Sequence, residues 1–384
     1  MLKDKALEIH ERYKGKIAVN SKISVNTKMD LSLLYSPGVA EPCKKIHKNP
    51  SDIYKYTSKG NLVAVVTDGT AVLGLGDIGP EASLPVMEGK SILFKEFADV
   101  DAFPICLKTT DVDEIVRTVK LLEPTFGGIN LEDISAPRCI EIENRLKNEL
   151  SIPVFHDDQH GTAVVTLAAL INSLKIAEKD KDIRITVCGV GAAGSAIISM
   201  LNQYGFKNII AVDEHGIIDE VSLSRFTGHQ KEILSLTNND NVSGDLSKAL
   251  EKSDCFIGVS VADIVTKSMI KSMNAKPIVL AMANPDPEIK YEDAIDAGAY
   301  IVGTGRSDYP NQVNNVLAFP GIFRGALDAR SKITSEMLWA AALAIANYIP
   351  ESELSCDNII PDALDKNVAT SVASAVYKAS KKAM

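Results

Sequence analysis

The sequence predicts an α/β protein of two domains, each built on a parallel sheet, and three observations predict it. The chain has 384 residues, too many for one ordinary core when domains of roughly 100–200 residues are the usual unit. From about residue 60, short apolar runs alternate with amphipathic stretches, and strand–helix alternation of this kind means parallel strands covered by helices. The same alternation resumes after a long apolar helix, as it does when a second sheet follows the first. No internal repeat is present.

The elements follow in order. The opening MLKDKALEIHERYKGKI is charged and helical in pattern, and lacks the apolar core and small-residue cleavage site of a signal peptide. NLVAVVTD (61–68) reads as a strand, PVMEGKSILFKEFA (85–98) as a helix and AFPICLKT (102–109) as a strand. DVDEIVRTVKLL (111–122) places Ile115, Val116, Val119 and Leu122 on one helical face, with Asp111 as N-cap. GGINLED (127–133) is the next strand, APRCIEIENRLKNEL (136–150) a helix and IPVFHDD (152–158) a strand. TAVVTLAALINSLKIA (162–177) is the apolar helix that divides the halves. Beyond it IRITVCG, NIIAVD, DCFIGVS, PIVLAMA and AYIVGTG read as strands. A mostly helical tail (331–384) contains WAAALAIANYI, too apolar for a free extension, so it is expected to pack back.

Composition narrows the class. Hydrophobic residues make up 46% and charged residues 24% of the chain, a soluble globular balance, and no apolar run approaches the ~20 residues of a membrane span. A net charge of −9 without a basic cluster argues against nucleic acid and against an anionic membrane. Six cysteines lie far apart without a C-x-x-C, so neither a disulfide framework nor a cysteine zinc site is indicated. They are expected to be reduced and mostly buried, in a cytoplasmic protein.

In open α/β sheets ligands gather beyond the carboxyl ends of the strands. Glu132 and Asp133 end GGINLED, and Asp157 and Asp158 end the next strand. Four carboxylates on one rim repel unless a cation neutralises them or some take up protons. A hard divalent ion, Mg²⁺ or Mn²⁺, suits oxygen ligands. From spacing alone this reads evenly against helix caps and solvated loop acids. The histidines of VFHDDQHGT, His156 and His160, suggest a zinc-protease helix, but that motif needs H-E-x-x-H inside a helix. Here the segment follows Pro153 and a strand and meets Gly161 at once. The histidines read as packing or supporting residues.

CGVGAAGSAIISML carries Gly189, Gly191 and Gly194 as G-x-G-x-x-G, with Ala192 and Ala193 inside the loop, between a strand and an amphipathic helix. Such glycines permit a tight turn and bring a pyrophosphate to the helix N-terminus. The following strand ends in Asp213, placed to hold a ribose hydroxyl. With Glu214 next to it and no Arg or Lys beside it, NAD is favoured and NADP remains possible.

LLYSPGVAEPC (33–43), VVTDGTAVLGLGDIGP (65–80), PVMEGKSILFKEFADVD (85–101), INLEDI (129–134), VFHDDQHGTA (154–163), MANPDPEI (282–289) and VNNVLAFPG (313–321) together resemble the malic enzymes in their short bacterial form. The resemblance implies oxidation and decarboxylation of L-malate to pyruvate with NAD(P)⁺ and Mg²⁺ or Mn²⁺. It implies Glu132, Asp133 and Asp158 as metal ligands, Lys90 as general base toward the C2 hydroxyl, and Asp157 as its partner. It implies Tyr35 as the acid that protonates C3, and Asn284 and Asn315, with Asn314 as helper, near substrate and nicotinamide. A Lys base needs a depressed pKa, which burial and a dication promote while Asp157 opposes.

The implied architecture is a Rossmann-type NAD(P)-binding domain over 158–315, an N-terminal catalytic, metal-binding α/β domain over 1–157, and a helical segment over 316–384 packed on the catalytic domain. A homodimer is expected, without the extra C-terminal domain of some bacterial relatives. One departure stands out: where longer family members have a substrate-binding arginine, this sequence has Ala71. The C4 carboxylate is then left to Asn284, Asn315 or an arginine such as Arg324. Two other readings remain at this level, an oxaloacetate decarboxylase with a structural nucleotide and a non-catalytic nucleotide-binding module.

Overall fold

A computed structural model describes residues 2–72, 74–221 and 228–382. Two sheets organise it. The first contains β1 (Leu62–Thr67), β2 (Asp101–Cys106), β3 (Gly128–Leu131) and β4 (Val154–His156), all parallel, in the order β2-β1-β3-β4. The second contains β5 (Ile185–Cys188), β6 (Ile209–Asp213), β7 (Gly216–Ile217), β8 (Cys255–Gly258), β9 (Ile278–Ala281) and β10 (Ile301–Thr304), in the order β10-β9-β8-β5-β6-β7. All its neighbours are parallel except the β6–β7 hairpin. Strand order reverses at β5, with β6 on one side and β8 on the other, so a crevice opens beyond their carboxyl ends. This is the doubly wound Rossmann arrangement, and the two-domain α/β class stands.

The strands are shorter than their apolar runs. β4 stops at His156, and Asp157–Gly161 winds as a π-helical turn straight into the helix Thr162–Ala177. Helical structure therefore runs unbroken over 21 residues, apolar enough by length and composition to cross a bilayer, contrary to the expectation that no such stretch exists. Its position explains its composition: twelve of the sixteen residues of Thr162–Ala177 are buried. It shares one core with Val63 and Val65 of β1, Phe155 of β4 and Ile185 and Val187 of β5. Each buried Val or Leu there stabilises by about 1.5–3 kcal/mol. Asn172, buried within it, donates to Ala346 O (2.8 Å) and Ile359 O (2.9 Å), which ties the tail to the centre.

The helices Phe319–Ala329, Ser335–Ala346 and Lys366–Lys382 form the tail. Phe319 and Phe323 meet Phe94 edge-on at 4.8 and 5.2 Å, so the tail lies against the helix Gly79–Ala98 of the first sheet. Gly321 and Gly325 let Lys366–Lys382 approach closely, since a Cβ at either would stand 2.6 Å from the carbonyl of Ala369 or Ala373. The N-terminal helices Leu2–Tyr13, Lys28–Leu34 and Ala40–Lys48 behave differently. No residue from 3 to 58 is buried, although the segment carries Leu7, Tyr13, Val19, Ile23, Met29, Leu33 and Tyr35, all more than half exposed. Only Cys139, Cys188 and Cys255 are buried among the cysteines; Cys43 is exposed and Cys106 and Cys356 are intermediate, so the expectation of mostly buried thiols is half right.

Candidate active site

Strand register assembles the acidic rim. Leu131 of β3 pairs with His156 of β4, so the residues that follow, Glu132–Asp133 and Asp157–Asp158, leave the sheet side by side. Glu132 N donates to Val66 O (2.9 Å), and the chain then turns through Asp133 at φ +52°. A left-handed Asp is uncommon, and two bonds hold it: Asp133 N donates to Asp158 Oδ2 (2.9 Å) and Ala71 N donates to Asp133 O (2.9 Å). One oxygen each of Glu132, Asp133 and Asp158 lies within 4.8 Å of the others.

Among the described residues Lys90, 2.9 Å from Glu132 Oε1, is the one cation paired with this trio, and it does not offset the burial of all three carboxyls. Burial, then Asp158 and Glu132, pushes the Asp133 carboxyl up to about 9, and burial raises Glu132 and Asp158 as well. Asp133 Oδ2 is buried without a hydrogen-bond partner, while the Asp158 side chain, 34% exposed, opens the trio to solvent. Three hard oxygens, one orphaned, with an open side, fit a Mg²⁺- or Mn²⁺-sized ion.

Lys90 rises beside them from Gly79–Ala98. Its Nζ donates to Asp157 Oδ2 (2.6 Å), lies 2.9 Å from Glu132 Oε1, and sits 4.3 Å from the centre of the Phe319 ring. Burial would lower its pKa, but Asp157 and Glu132 outweigh burial and raise it. The expected depression is thus absent in the metal-free protein. Burial pushes Asp157 itself up to about 8 despite Lys90. Gly161 makes room: a Cβ there would stand 1.9 Å from Asp157 Oδ1 and 3.2 Å from the Cβ of Asn315.

The histidines lie behind the acids. His156 is fully buried with both ring nitrogens unpartnered, and burial pushes it down to about 4, so the ring is neutral. Buried Glu143 accepts from His156 N (2.9 Å) and Gln159 Nε2 (3.3 Å), with His160 Nε2 and Lys147 Nζ each 2.8 Å away. Burial would raise its pKa, but His160 and Lys147 hold it well below the usual carboxylate range. Glu143 therefore pins the turn that carries Asp157 and Asp158. Arg138 does the same for the opposite loop, with Nη1 on Asp68 Oδ2 (2.6 Å) and Nη2 on Thr70 Oγ1 (2.8 Å) and Ser135 Oγ (2.9 Å). Sequence reasoning passed over both. Glu143 was visible as a charged residue inside the stripe Cys139, Ile142 and Leu146; Arg138 left no local signal.

On the second sheet each glycine of the loop after β5 has a separate reason. Gly189 has φ +96°, and a Cβ there would stand 2.6 Å from Val259 O. At Gly194 a Cβ would be 1.7 Å from Gly189 O, which enforces close helix–strand packing. At Gly191 a Cβ would meet nothing within 4 Å, so the space above the helix Ala192–Tyr204, which Ala192 and Ala193 open, is clear. Asp213 ends β6, where its Oδ1 accepts from His215 N (2.8 Å).

The two sheets meet at one cleft. The loop containing Ala71 reaches Asn284–Pro285, for a Cβ at Gly74 would stand 3.0 Å from Pro285 Cδ. Asn284 Nδ2 donates to Met282 O (3.3 Å), and Asn314 Oδ1 accepts from Val316 N (2.9 Å), which caps the turn bearing Asn315. Asn314 is thereby committed locally. Arg324 is not available for the C4 carboxylate, because its guanidinium is held by Asn61 and Asp328. Tyr35 stands apart, 69% exposed at the end of Lys28–Leu34, whereas Lys90 is buried.

A carboxylate cation centre facing a Rossmann crevice defines a metal-assisted, nicotinamide-dependent oxidoreductase. Residues 12–147 match the malic enzyme N-terminal domain and residues 159–381 the malic enzyme NAD-binding domain. The chain is 59% identical to the bifunctional malic/malolactic enzyme of Bacillus subtilis over 98% of its own length and 93% of that protein's. It is 56% identical to the NAD-dependent malic enzyme of Geobacillus stearothermophilus, covering 95% of this chain and 76% of that one. The crystal structure of the NAD-dependent malic enzyme of Thermotoga maritima superposes with a TM-score of 0.94 at 52% identity, covering 97% and 98% of the two chains. The chain belongs to the malic enzyme family.

Proposed function

We propose that the protein oxidises L-malate to pyruvate and CO₂ with NAD(P)⁺, using a divalent cation. The observation that carries this is the placement of Lys90 Nζ between Asp157 and Glu132, at the edge of a three-acid cluster that needs a cation. Relatives named as NAD-dependent and as NADP-dependent are both similar to this chain. Asp213 and Glu214 at the ribose position support NAD, since both would repel a 2′-phosphate.

Glu132, Asp133 and Asp158 would hold Mg²⁺ or Mn²⁺, which would supply Lewis-acid polarisation of the C2 oxygen. Lys90 takes the C2 hydroxyl proton as hydride leaves C2 for the nicotinamide. For that it must first lose its own proton, and engaging Glu132 elsewhere weakens one of the two attractions that keep it charged. Asp157 orients Lys90 and remains its counter-charge. Asn284 and Asn315 line the cleft where substrate and nicotinamide meet, with Asn314 setting the turn of Asn315. After CO₂ departs, Tyr35 donates its phenolic proton to C3.

Tyr35 reaches that position from a second copy of the chain. The N-terminal segment has no fully buried residue in its own protomer and exposes a row of large apolar residues, the pattern of a surface made for a partner. The working unit is thus a homodimer, in the cytoplasm. Residues 1–157 form the catalytic domain, 158–315 the cofactor domain, and 316–384 the segment returning to the catalytic domain.

The test is nicotinamide reduction with L-malate and Mn²⁺, run with NAD⁺ and with NADP⁺, with pyruvate assayed at the end. Matching pyruvate and reduced nicotinamide, lost on chelation, is the expected result. Turnover of oxaloacetate without turnover of malate would point instead to a simple decarboxylase.

A further inference from the structure

Between the glycine loop and Asn284 lies a buried carboxylate that the reaction described above does not use. Glu288 is fully buried, and its partners are neutral. Oε1 accepts from Ser260 N (2.8 Å) and Ser260 Oγ (3.2 Å), and Oε2 accepts from Ala283 N (3.1 Å). Among the described residues no Lys, Arg or His pairs with it. A buried charge without a counter-ion is costly unless hydrogen bonds compensate it, so a Glu kept here reflects the bonds it makes.

Those bonds join two loops. Ser260 follows β8, and Ala283 follows β9 and immediately precedes Asn284. Gly258, at the end of β8, leaves the room for the carboxylate: a Cβ there would stand 2.4 Å from Glu288 Cδ. The first loop also sets the dinucleotide turn, because Val259 O and Ser260 Cβ are the atoms that pack against Gly189, at 2.6 and 3.2 Å from where its Cβ would be. One carboxylate thus connects the β5–β8 crevice to the Asn284 side of the cleft.

We infer that Glu288 is a positioning residue that fixes, through the N–H groups of Ser260 and Ala283 and the Ser260 hydroxyl, the relative placement of the glycine loop and Asn284 around the bound dinucleotide. The inference rests on the dinucleotide reading of the crevice. Gln at this position has the same shape but presents an NH₂ where one loop presents an N–H, so one side of the clamp opens.

Direct binding of NADH and of Mn²⁺, measured separately on the folded protein, tests it. Glu288→Gln should bind NADH roughly tenfold more weakly, one backbone bond having been replaced by a donor–donor contact, while Mn²⁺ affinity stays within about twofold. Ser260→Ala, which keeps the N–H bond and removes the hydroxyl's contacts to Glu288 (3.2 Å) and to Cys188 Sγ (3.6 Å), should weaken NADH binding by about two- to threefold and decides alone if Glu288→Gln does not fold. A general structural role predicts that Mn²⁺ and NADH affinities fall together with the thermal midpoint, and that result, or unchanged NADH affinity in Ser260→Ala, overturns the inference. Failure of the unsubstituted protein to bind either NADH or NADPH would instead remove the dinucleotide reading itself.

Discussion

Lys90 Nζ and Asp157 Oδ2 are 2.6 Å apart, and both side chains are shut away from solvent. The pair ties the helix Gly79–Ala98 to the turn after β4, so the proposed base and the carboxylates of that turn are held together. It also sets the resting charge, because Asp157 and Glu132 together keep Lys90 protonated until one of them is engaged otherwise.

Lys90→Ala should lower kcat for malate oxidation by about 10²–10⁴, the usual weight of a general base. Lys90→Arg separates charge from chemistry. A guanidinium preserves a cation between Asp157 and Glu132 but does not give up its proton, so thermal stability should lie nearer the unsubstituted protein than in the Ala variant while activity stays lost. Recovery of malate turnover in Lys90→Arg above about a tenth of the original would remove Lys90 as the base.

Cation binding should depend on pH in a defined direction. In the metal-free protein Asp133 is pushed up to about 9, against about 3.9 for an unfolded Asp. At this carboxyl, between roughly pH 4 and pH 9, the folded state holds a proton that the unfolded one has lost, so its contribution to stability falls as pH rises through that window, while His156, pushed down to about 4, opposes it only below about pH 6.5. Saturating Mn²⁺ offsets this, because it takes the place of the protons. Thermal midpoints in EDTA should decline from pH 7 to 9, and the gain on adding Mn²⁺ should widen; parallel curves would speak against Asp133 as part of the site. Asp158→Ala should cut Mn²⁺ affinity by at least tenfold in calorimetry.

Two glycines of one loop should respond in opposite ways. Gly191→Ala adds a methyl to open space, so the thermal midpoint should hold, yet NADH binding should weaken about tenfold or more because the methyl occupies the pyrophosphate's approach. Gly194→Ala drives a methyl to 1.7 Å from Gly189 O, so it should cost about 1–3 kcal/mol of stability as well. Equal effects of the two on stability would contradict the packing described.

What the sequence disclosed and what it hid differ by range of interaction. Val-rich runs and the 3.6-residue stripes placed the main strands and helices within a few residues, because burial on a sheet or helix face leaves a local period. The acids were legible because Glu132–Asp133 and Asp157–Asp158 follow strands directly. The left-handed turn at Asp133, the π-helical turn from Asp157 and the two-residue β7 have no period to leave. The choice among Asn284, Asn315 and Arg324 for the C4 carboxylate stayed open for another reason: whether an arginine is free depends on distant partners, here Asn61, 263 residues away in sequence. The upward shift of Lys90 is of the same kind, since it reflects Glu132 as well as Asp157.

Tyr35 and Lys90 offer the sharpest test of the dimer. If Tyr35 serves the neighbouring protomer, a heterodimer of a Tyr35→Phe chain and a Lys90→Ala chain contains one site with both lesions and one with neither. Either homodimer alone should be nearly inactive, and mixing them under conditions that exchange subunits should restore activity toward half of the original per heterodimer. If Tyr35 folds back onto its own Lys90, every site in the mixture carries one lesion and nothing is restored. Exchange is confirmed independently by native mass spectrometry of differently tagged chains. Confirmed heterodimers without recovered activity would place Tyr35 in its own protomer, and would leave the exposed apolar row of residues 7–35 as an association surface with no part in the chemistry.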